Sequence, residues 1–230
     1  MQTKALVVLS GGQDSTTCLA VAKSQFEEVH AVTFNYGQRH ITEIKSAIAV
    51  AQAVGVSSHE IIDLGPILKG SSPLVSDNHL EQYDSPEQLP DGIATTVVPS
   101  RNALFLTIAS NRAIVTGASV LYTGVSQADY SGYPDCRRDF IDRMEEALSF
   151  ANFGESGHLS IRTPLMNITK AESVKLAQEV LGDSFESVFA LTHTCYAGVI
   201  GGCGRCAACL LRDKGFREAG IPDPIWQYRC

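Results

Sequence analysis

Ser10-Gly11-Gly12-Gln13-Asp14-Ser15 lies between an apolar run and a helical one. The run before it, Ala5-Leu6-Val7-Val8-Leu9, is continuous rather than alternating and reads as a strand buried on both faces of a parallel sheet. The run after it, Thr16-Thr17-Cys18-Leu19-Ala20-Val21-Ala22, reads as the opening turns of a helix. A strand, a glycine turn and a helix N-terminus together make an anion site. Glycine lets the backbone approach the ligand, the free N–H groups point at it, and the helix dipole favours negative charge. Ser10 and Ser15 add hydroxyl donors. Neither of the commoner nucleotide loops is present: there is no lysine for G-x-x-x-x-G-K-[ST], and the spacing G-x-G-x-x-G is absent.

The same rhythm continues outward. Glu28 to Phe34 reads as a second strand, Ile41 to Val54 as a helix ending at Gly55, and Ser58 to Leu64 as a third strand. Further strands are expected over Ser119 to Val125 and His158 to Thr163. Alternating strands and helices predict an α/β fold, a Rossmann-like doubly wound parallel sheet of about five strands. Ligands of such sheets bind beyond the C-terminal strand ends. The Ser10 loop, Tyr36-Gly37-Gln38-Arg39-His40 and the polar loop from Gly124 to Arg137 all fall on that edge. A helix over Arg101 to Gly117 is almost continuously apolar and is expected to be buried. Thr169 and Glu172 have capping-box spacing for a helix to about Leu181. Residues 65–98 break the rhythm and are rich in Pro, Ser, Asp and Gly, as in a lid or a mobile surface loop. The pattern S-G-G-x-D-S itself resembles the pyrophosphate (PP) loop of the ATP-pyrophosphatase family, whose members use ATP to activate a carboxyl or carbonyl oxygen.

Composition limits the alternatives. The chain has 230 residues, ample for one large α/β domain with a small appendage. A net charge of −7 disfavours general nucleic-acid binding. No apolar run is long enough to span a membrane, and no signal-peptide pattern precedes the first strand. A cytoplasmic location is expected. Of seven cysteines, Cys195, Cys203, Cys206 and Cys209 cluster with x7, x2 and x2 gaps. Four convergent thiolates suit a closed, structural zinc site, with an iron–sulfur cluster, a redox pair or simple packing as alternatives. Cys206 and Cys209 are expected on the first turn of a helix. The domain plan is therefore residues 1–190 as the ATP-binding α/β domain, including 65–98, and 191–230 as a small helical zinc-binding region.

Several segments together resemble one family. They are the Ser10 loop through Cys18, Tyr36 to His40, Pro99-Ser100-Arg101-Asn102, Asp129-Tyr130-Ser131-Gly132-Tyr133-Pro134-Asp135-Cys136-Arg137, Thr163-Pro164-Leu165 and the cysteine cluster. The family is that of the 7-cyano-7-deazaguanine synthases, enzymes of queuosine biosynthesis. The resemblance implies an adenine nucleotide α-hydrolase-like fold and an ATP-dependent ligase that turns 7-carboxy-7-deazaguanine and ammonia into the 7-nitrile through an amide. It implies ATP, Mg²⁺ and Zn²⁺ as cofactors. Leu9, Ser10, Gly11, Gly12, Gln13, Asp14, Ser15, Thr16, Thr17, Cys18 and Leu19 would form the nucleotide site. Asp14, Arg101, Asp129, Asp135 and Arg137 would be catalytic. Arg39, Tyr130, Tyr133 and Lys170 would hold the substrate, and no nucleic-acid partner is implied. Ammonia is expected from solution or another protein, and a homodimer is expected. The rival readings are a tRNA-thiolating enzyme with the same loop, an amidating synthetase for another acid, and a nucleotide-binding zinc protein without turnover.

Overall fold

The computed structural model describes residues 3–38, 41–76, 79–89, 96–127, 133–154 and 157–225. Five strands form one parallel sheet: β1 (Lys4–Val8), β2 (Glu28–Asn35), β3 (Ser58–Asp63), β4 (Val120–Tyr122) and β5 (Ser160–Arg162), in the order β3-β2-β1-β4-β5. β1 is central. Leu6 is in register with His30 on one side and Leu121 on the other. The strand order reverses at β1, so its C-terminal end is the topological switch point where α/β sheets bind ligands. The Ser10 loop leaves the sheet there.

Helices cover both faces. α1 (Gln13–Gln25), α2 (Thr42–Val54) and α5 (Lys170–Leu181) lie on one, α3 (Arg101–Thr116) and α4 (Arg138–Phe153) on the other. The pleat sorts the strand residues accordingly. Ala5, Val7, Ala31, Val120 and Tyr122 pack with Leu19, Ala47 and Val50, whereas Leu6, Val32, Leu121 and Ile161 pack with Leu106, Ala113 and Ile141. Gly55 ends α2 in the left-handed region at φ 75°, as the sequence predicts. The capping box at α5 is also formed: Glu172 N–H donates to Thr169 Oγ1 at 3.2 Å, and Thr169 N–H donates to Glu172 Oε2 at 2.7 Å. α6 (Phe185–Phe189) and α7 (Ala207–Ala219) follow, and Phe185, Phe189 and Phe216 pack on Val174 and Ala177 of α5.

One expectation needs correction. α3 is not buried all round. It presents Leu106, Ala109, Ser110 and Ala113 to the sheet, while Val115 is 65% exposed and Ile114 42%. A helix in an outer layer has one face on the sheet and one away from it, whatever its composition. Within residues 65–98, the described parts contain two short 3₁₀ turns, Pro73–Val75 and Pro86–Gln88. Tyr83 N–H donates to the Arg205 carbonyl at 2.8 Å, and Asp84 pairs with Arg205 at 3.0 Å. This segment therefore docks on the cysteine-rich corner.

Candidate active site

A cavity of about 330 Å³ opens at the switch point. One wall is the predicted loop: Leu9, Ser10, Gly12, Gln13, Asp14 and Ser15 all line it. Ser15 organises the turn. Its hydroxyl accepts from Ser10 N–H at 3.1 Å and donates to the Gly12 carbonyl at 3.1 Å. Gly11 has φ +83°, and a Cβ there would lie 2.5 Å from Ala47 N and 2.6 Å from the Glu43 carbonyl in the first turns of α2. Gly124, after β4, also approaches closely, with an added Cβ 3.0 Å from the Asp14 carbonyl carbon. The loop is thus clamped between two backbones. Two buried oxygens near it, Gln13 Oε1 and Thr16 Oγ1, have no hydrogen-bond partner. Unsatisfied polar atoms at a helix N-terminus fit a polar ligand.

Thr17, Cys18 and Leu19 turn the other way. Thr17 Oγ1 donates back to the Gln13 carbonyl at 2.9 Å, and Cys18 and Leu19 are fully buried in the core. Burial pushes the Cys18 thiol well above its ordinary pKa, with Asp14 adding to the effect. Lys170, the first residue of α5, reaches Asp14 at 2.9 Å. Gly215 of α7 makes room for the lysine stem, since a Cβ there would fall 2.5 Å from Lys170 Cγ. Lys170 lines the same cavity beside the Ser10 loop.

The opposite wall carries Tyr36, Glu43, Arg101, Phe105, Tyr133 and Tyr196. Arg101 begins α3 directly after Ser100, whose left-handed φ of 61° is the one such non-glycine value among the described residues. Backbone strain of this kind costs about 1–3 kcal/mol and clusters at functional sites. Burial opposes the Arg101 charge, but the phenols of Tyr36, Tyr196 and Tyr133 outweigh it and raise its pKa; Tyr36 also hydrogen-bonds to it. Burial pushes the Tyr36 and Tyr196 phenols up. Tyr133 joins Tyr196 and also Thr96 Oγ1, the latter at 2.8 Å. Phe105 stacks on Phe34 with ring centres 4.4 Å apart and meets Tyr36 edge-on. The result is a cationic, flat-sided slot, suited to an aromatic ring bearing a carboxylate.

The remaining predicted residues are placed differently. Asp135 is off the cavity; its carboxylate accepts from the backbone N–H of Asn102 at 3.2 Å and so holds the start of α3. Arg137 is exposed at the N-cap of α4. Arg39, Asp129 and Tyr130 lie outside the described residues. Sequence reasoning assigned no role to Glu43, Phe105, His193, Tyr196 or Arg212, all of which line the cavity. Glu43 follows the Tyr36-to-His40 strand-end segment, and Tyr196 and His193 flank Cys195, so adjacency to known motifs was the available signal.

The four sulfurs of Cys195, Cys203, Cys206 and Cys209 lie within 4.8 Å of one another. Cys206 is the N-cap of α7, with Cys209 in its first turn. Cys203 Sγ accepts from the N–H groups of Cys206 at 3.3 Å and Arg205 at 3.5 Å, and Cys195 Sγ from Cys203 N–H at 3.4 Å. The Cys206 and Cys209 thiols donate to Cys195 and pull its pKa far down, while their own rise. Four convergent sulfurs with inward N–H groups are the donor set of a four-sulfur metal site. The corner is tied to the cavity. His193 N–H donates to the Gly11 carbonyl at 2.9 Å, and its Nε2 lies 3.0 Å from the Cys195 carbonyl. Arg212 is buried, pairs with Asp223 at 2.7 and 2.8 Å, and donates to Thr192 and Thr194 on either side of His193.

A family model described as queuosine biosynthesis protein QueC matches residues 4–220. The chain belongs to the QueC family. The 7-cyano-7-deazaguanine synthase of Gloeobacter violaceus is 60% identical over 226 residues, covering 98% of this chain and 97% of that protein. The synthase of Laribacter hongkongensis is 46% identical over 224 residues, covering 96% and 93%. Among solved structures, the NH₃-dependent NAD synthetase of Campylobacter jejuni is 15% identical, with a TM-score of 0.45 over 80% of this chain and 66% of that one. No helix among the described residues is long and apolar enough to cross a membrane.

Proposed function

We propose that this QueC chain is a 7-cyano-7-deazaguanine synthase whose cavity activates a carboxylate with ATP. The observation that carries the reading is one cavity with two unlike walls: a phosphate-type loop at the switch point, and an Arg101-centred aromatic slot opposite. A carboxylate does not react with ammonia at neutral pH, because its oxygen is a poor leaving group. ATP converts the carboxylate into a mixed anhydride, acyl adenylate or acyl phosphate, from which that oxygen leaves readily, and ammonia gives the amide. A second activation, now of the amide oxygen, gives the nitrile when that oxygen leaves. Holding the three reactants together supplies the proximity that both rounds need.

Ser10, Gly12, Ser15 and the start of α1 would hold the phosphates, with Lys170 offsetting charge and Asp14 the loop's carboxylate toward Mg²⁺. Arg101 would face the substrate carboxylate, and Tyr36, Tyr133 and Tyr196 the ring. Arg39, Asp129, Tyr130, Asp135 and Arg137 stay assigned to the substrate side on the family motif alone. The four cysteines would hold zinc in a structural role, since all four positions of a tetrahedral ion are then filled by sulfur. Residues 191–230 act as an appendage that completes the site through His193 and Tyr196, and residues 65–98 as part of its cover. A homodimer is supported by the exposed Ile114 and Val115 of α3 and Phe150 of α4.

Mass spectrometry of a reaction containing ATP, Mg²⁺, ammonia and 7-carboxy-7-deazaguanine tests the reading. The nitrile is expected, with the amide transient and the spent nucleotide identified as AMP or ADP alongside. Unchanged acid in the presence of bound ATP overturns it and makes tRNA the next substrate to try.

A further inference from the structure

Three carboxylates line the described cavity: Asp14, Glu43 and Glu81. Asp14 is paired with Lys170, and Glu81 accepts from the Tyr83 hydroxyl. Glu43 differs from both. Among the described residues its carboxylate makes no hydrogen bond and no ion pair; the Arg101 charge acts on it only through space. A half-buried carboxylate that lines the cavity with no partner among the described residues is open to a ligand or a proton.

Its placement is equally specific. Glu43 sits in the first turn of α2, whose backbone is pressed against Gly11, so it borders the phosphate loop. It also faces Arg101 and Tyr36, which belong to the slot assigned above to the carboxylated ring. In the functional reading above, phosphate and carboxylate meet where the loop and the slot adjoin, and Glu43 lines the cavity there. Burial raises the Glu43 pKa from the ordinary carboxylate range to about 7, with Arg101 opposing the rise. A carboxylate tuned in this way shares its proton with neutral water and is suited to proton transfer.

We propose that Glu43 is the general base that takes the proton released when ammonia attacks the activated carboxyl group. The inference rests on the functional reading above and adds a residue to it. The nitrogen lone pair forms the C–N bond, and the C–O bond to the phosphoryl group breaks. The activating group, AMP or phosphate, leaves with that electron pair, one N–H proton passes to a Glu43 carboxylate oxygen, and Glu43 later returns it to water. The same carboxylate takes the N–H protons lost on the way from amide to nitrile. Asp14 is not equivalent, because Lys170 already pairs with it at 2.9 Å.

The test separates activation from amination. In Glu43→Gln, acid-dependent consumption of ATP in a single turnover should stay within about threefold of wild type. Ammonia-dependent amide formation should fall by about 10²–10⁴-fold, the span of general base catalysis. Hydroxylamine, a weaker base that is already largely neutral at pH 7, should restore much of the lost amination. Wild-type amination, corrected for free ammonia, should fall as pH drops below about 7, and E43Q should lose that limb. Among the described residues, the charged and titratable groups that act on Glu43 are Arg101 of α3 and Tyr36 after β2, and neither changes charge there.

Equal loss of both steps makes Glu43 a metal or substrate ligand and overturns the proposal. So does an unchanged amination rate, or a raised KM for the acid with amination intact. Melting curves of E43Q guard against misfolding, and Glu43→Asp, which keeps a carboxylate, should retain part of the pH limb even if E43Q is unstable. Wild-type protein that forms neither amide nor nitrile breaks the functional reading itself. Wild-type turnover with an unimpaired E43Q breaks this inference alone.

Discussion

The phosphate loop and the cysteine corner use the same backbone device with different support. Each is a glycine turn beside a candidate ligand position. The loop turns at Gly11, at φ +83°, and is hemmed in by Leu9, Thr16 and the backbone of α2. The corner turns at Gly198, Gly201, Gly202 and Gly204, all with positive φ, yet Val199 and Ile200 between them are 45% and 72% exposed. Its own small core is little more than Cys195, Cys206, Cys209 and Ala208. One turn is held by excluded volume, the other by sulfur. The first is therefore vulnerable to added atoms and the second to removed ones.

The largest effect is expected where sulfur is the support. Structural zinc contributes roughly 10–16 kcal/mol of apparent binding free energy in small domains, much of it folding free energy. Chelation, or Cys209→Ser, should release residues 195–209. Tyr196 leaves the cavity wall with them and His193 loses its Cys195 contact, so activity should fall below about 1% while far-UV helicity largely survives in the sheet domain. Metal analysis, near-UV spectra and turnover measured on one sample check this. A Cys209→Ser protein with native melting and turnover would mean that the Arg212–Asp223 pair and α7 hold the corner without metal.

Adding one carbon to the loop comes next. Gly11→Ala places a Cβ at 2.5 Å from Ala47 N and 2.6 Å from the Glu43 carbonyl, both backbone atoms of a helix. Left-handed strain costs about 1–2 kcal/mol and overpacking about 1–3 kcal/mol, so a loss near 3 kcal/mol is expected in denaturant titration. ATP affinity should fall too, because α2 can retreat only by opening the loop. Glycines in open turns elsewhere offer the contrast. Gly55, Gly65 and Gly70 meet nothing within 4 Å of an added Cβ, and alanine there should cost only its left-handed strain.

The same contrast explains what was legible in the chain. The phosphate loop is contiguous, and its chemistry is local to residues 10–16, so strand, turn and helix could be read in order. The cysteine spacing is local as well. The opposite wall is not. Tyr36, Glu43, Arg101, Tyr133 and Tyr196 come from separate segments, and the order β3-β2-β1-β4-β5 brings them together. Hydrophobic periodicity reports how each element meets its neighbours, not which polar side chains from distant elements converge. Asp135 shows the converse. It stands in a motif dense with chemistry, yet its carboxylate is committed to the Asn102 backbone, a contact that only the approach of Pro134–Cys136 to α3 creates. The apolar run of α3 misled for a third reason, since composition cannot tell a central helix from an outer one.

The smallest effect sharpens the comparison at Lys170, where the two corners meet. Thr169 caps α5 immediately before Lys170, and loss of such a cap costs about 1 kcal/mol. Thr169→Ala should lower stability by that amount in urea titration. The KM for ATP should change by less than about threefold, because a cap acts on the helix end and not on the lysine head. Lys170 has two other supports, the Asp14 carboxylate at 2.9 Å and the notch that Gly215 leaves for its stem. The notch belongs to α7, the helix that Cys206 begins. If Thr169→Ala raises the KM for ATP tenfold while stability falls only slightly, the local cap positions Lys170. If the KM holds there but rises on filling the notch with Gly215→Ala, the cysteine corner reaches the phosphate loop through α7 as well as through His193. The loop's excluded-volume support is then partly set by sulfur.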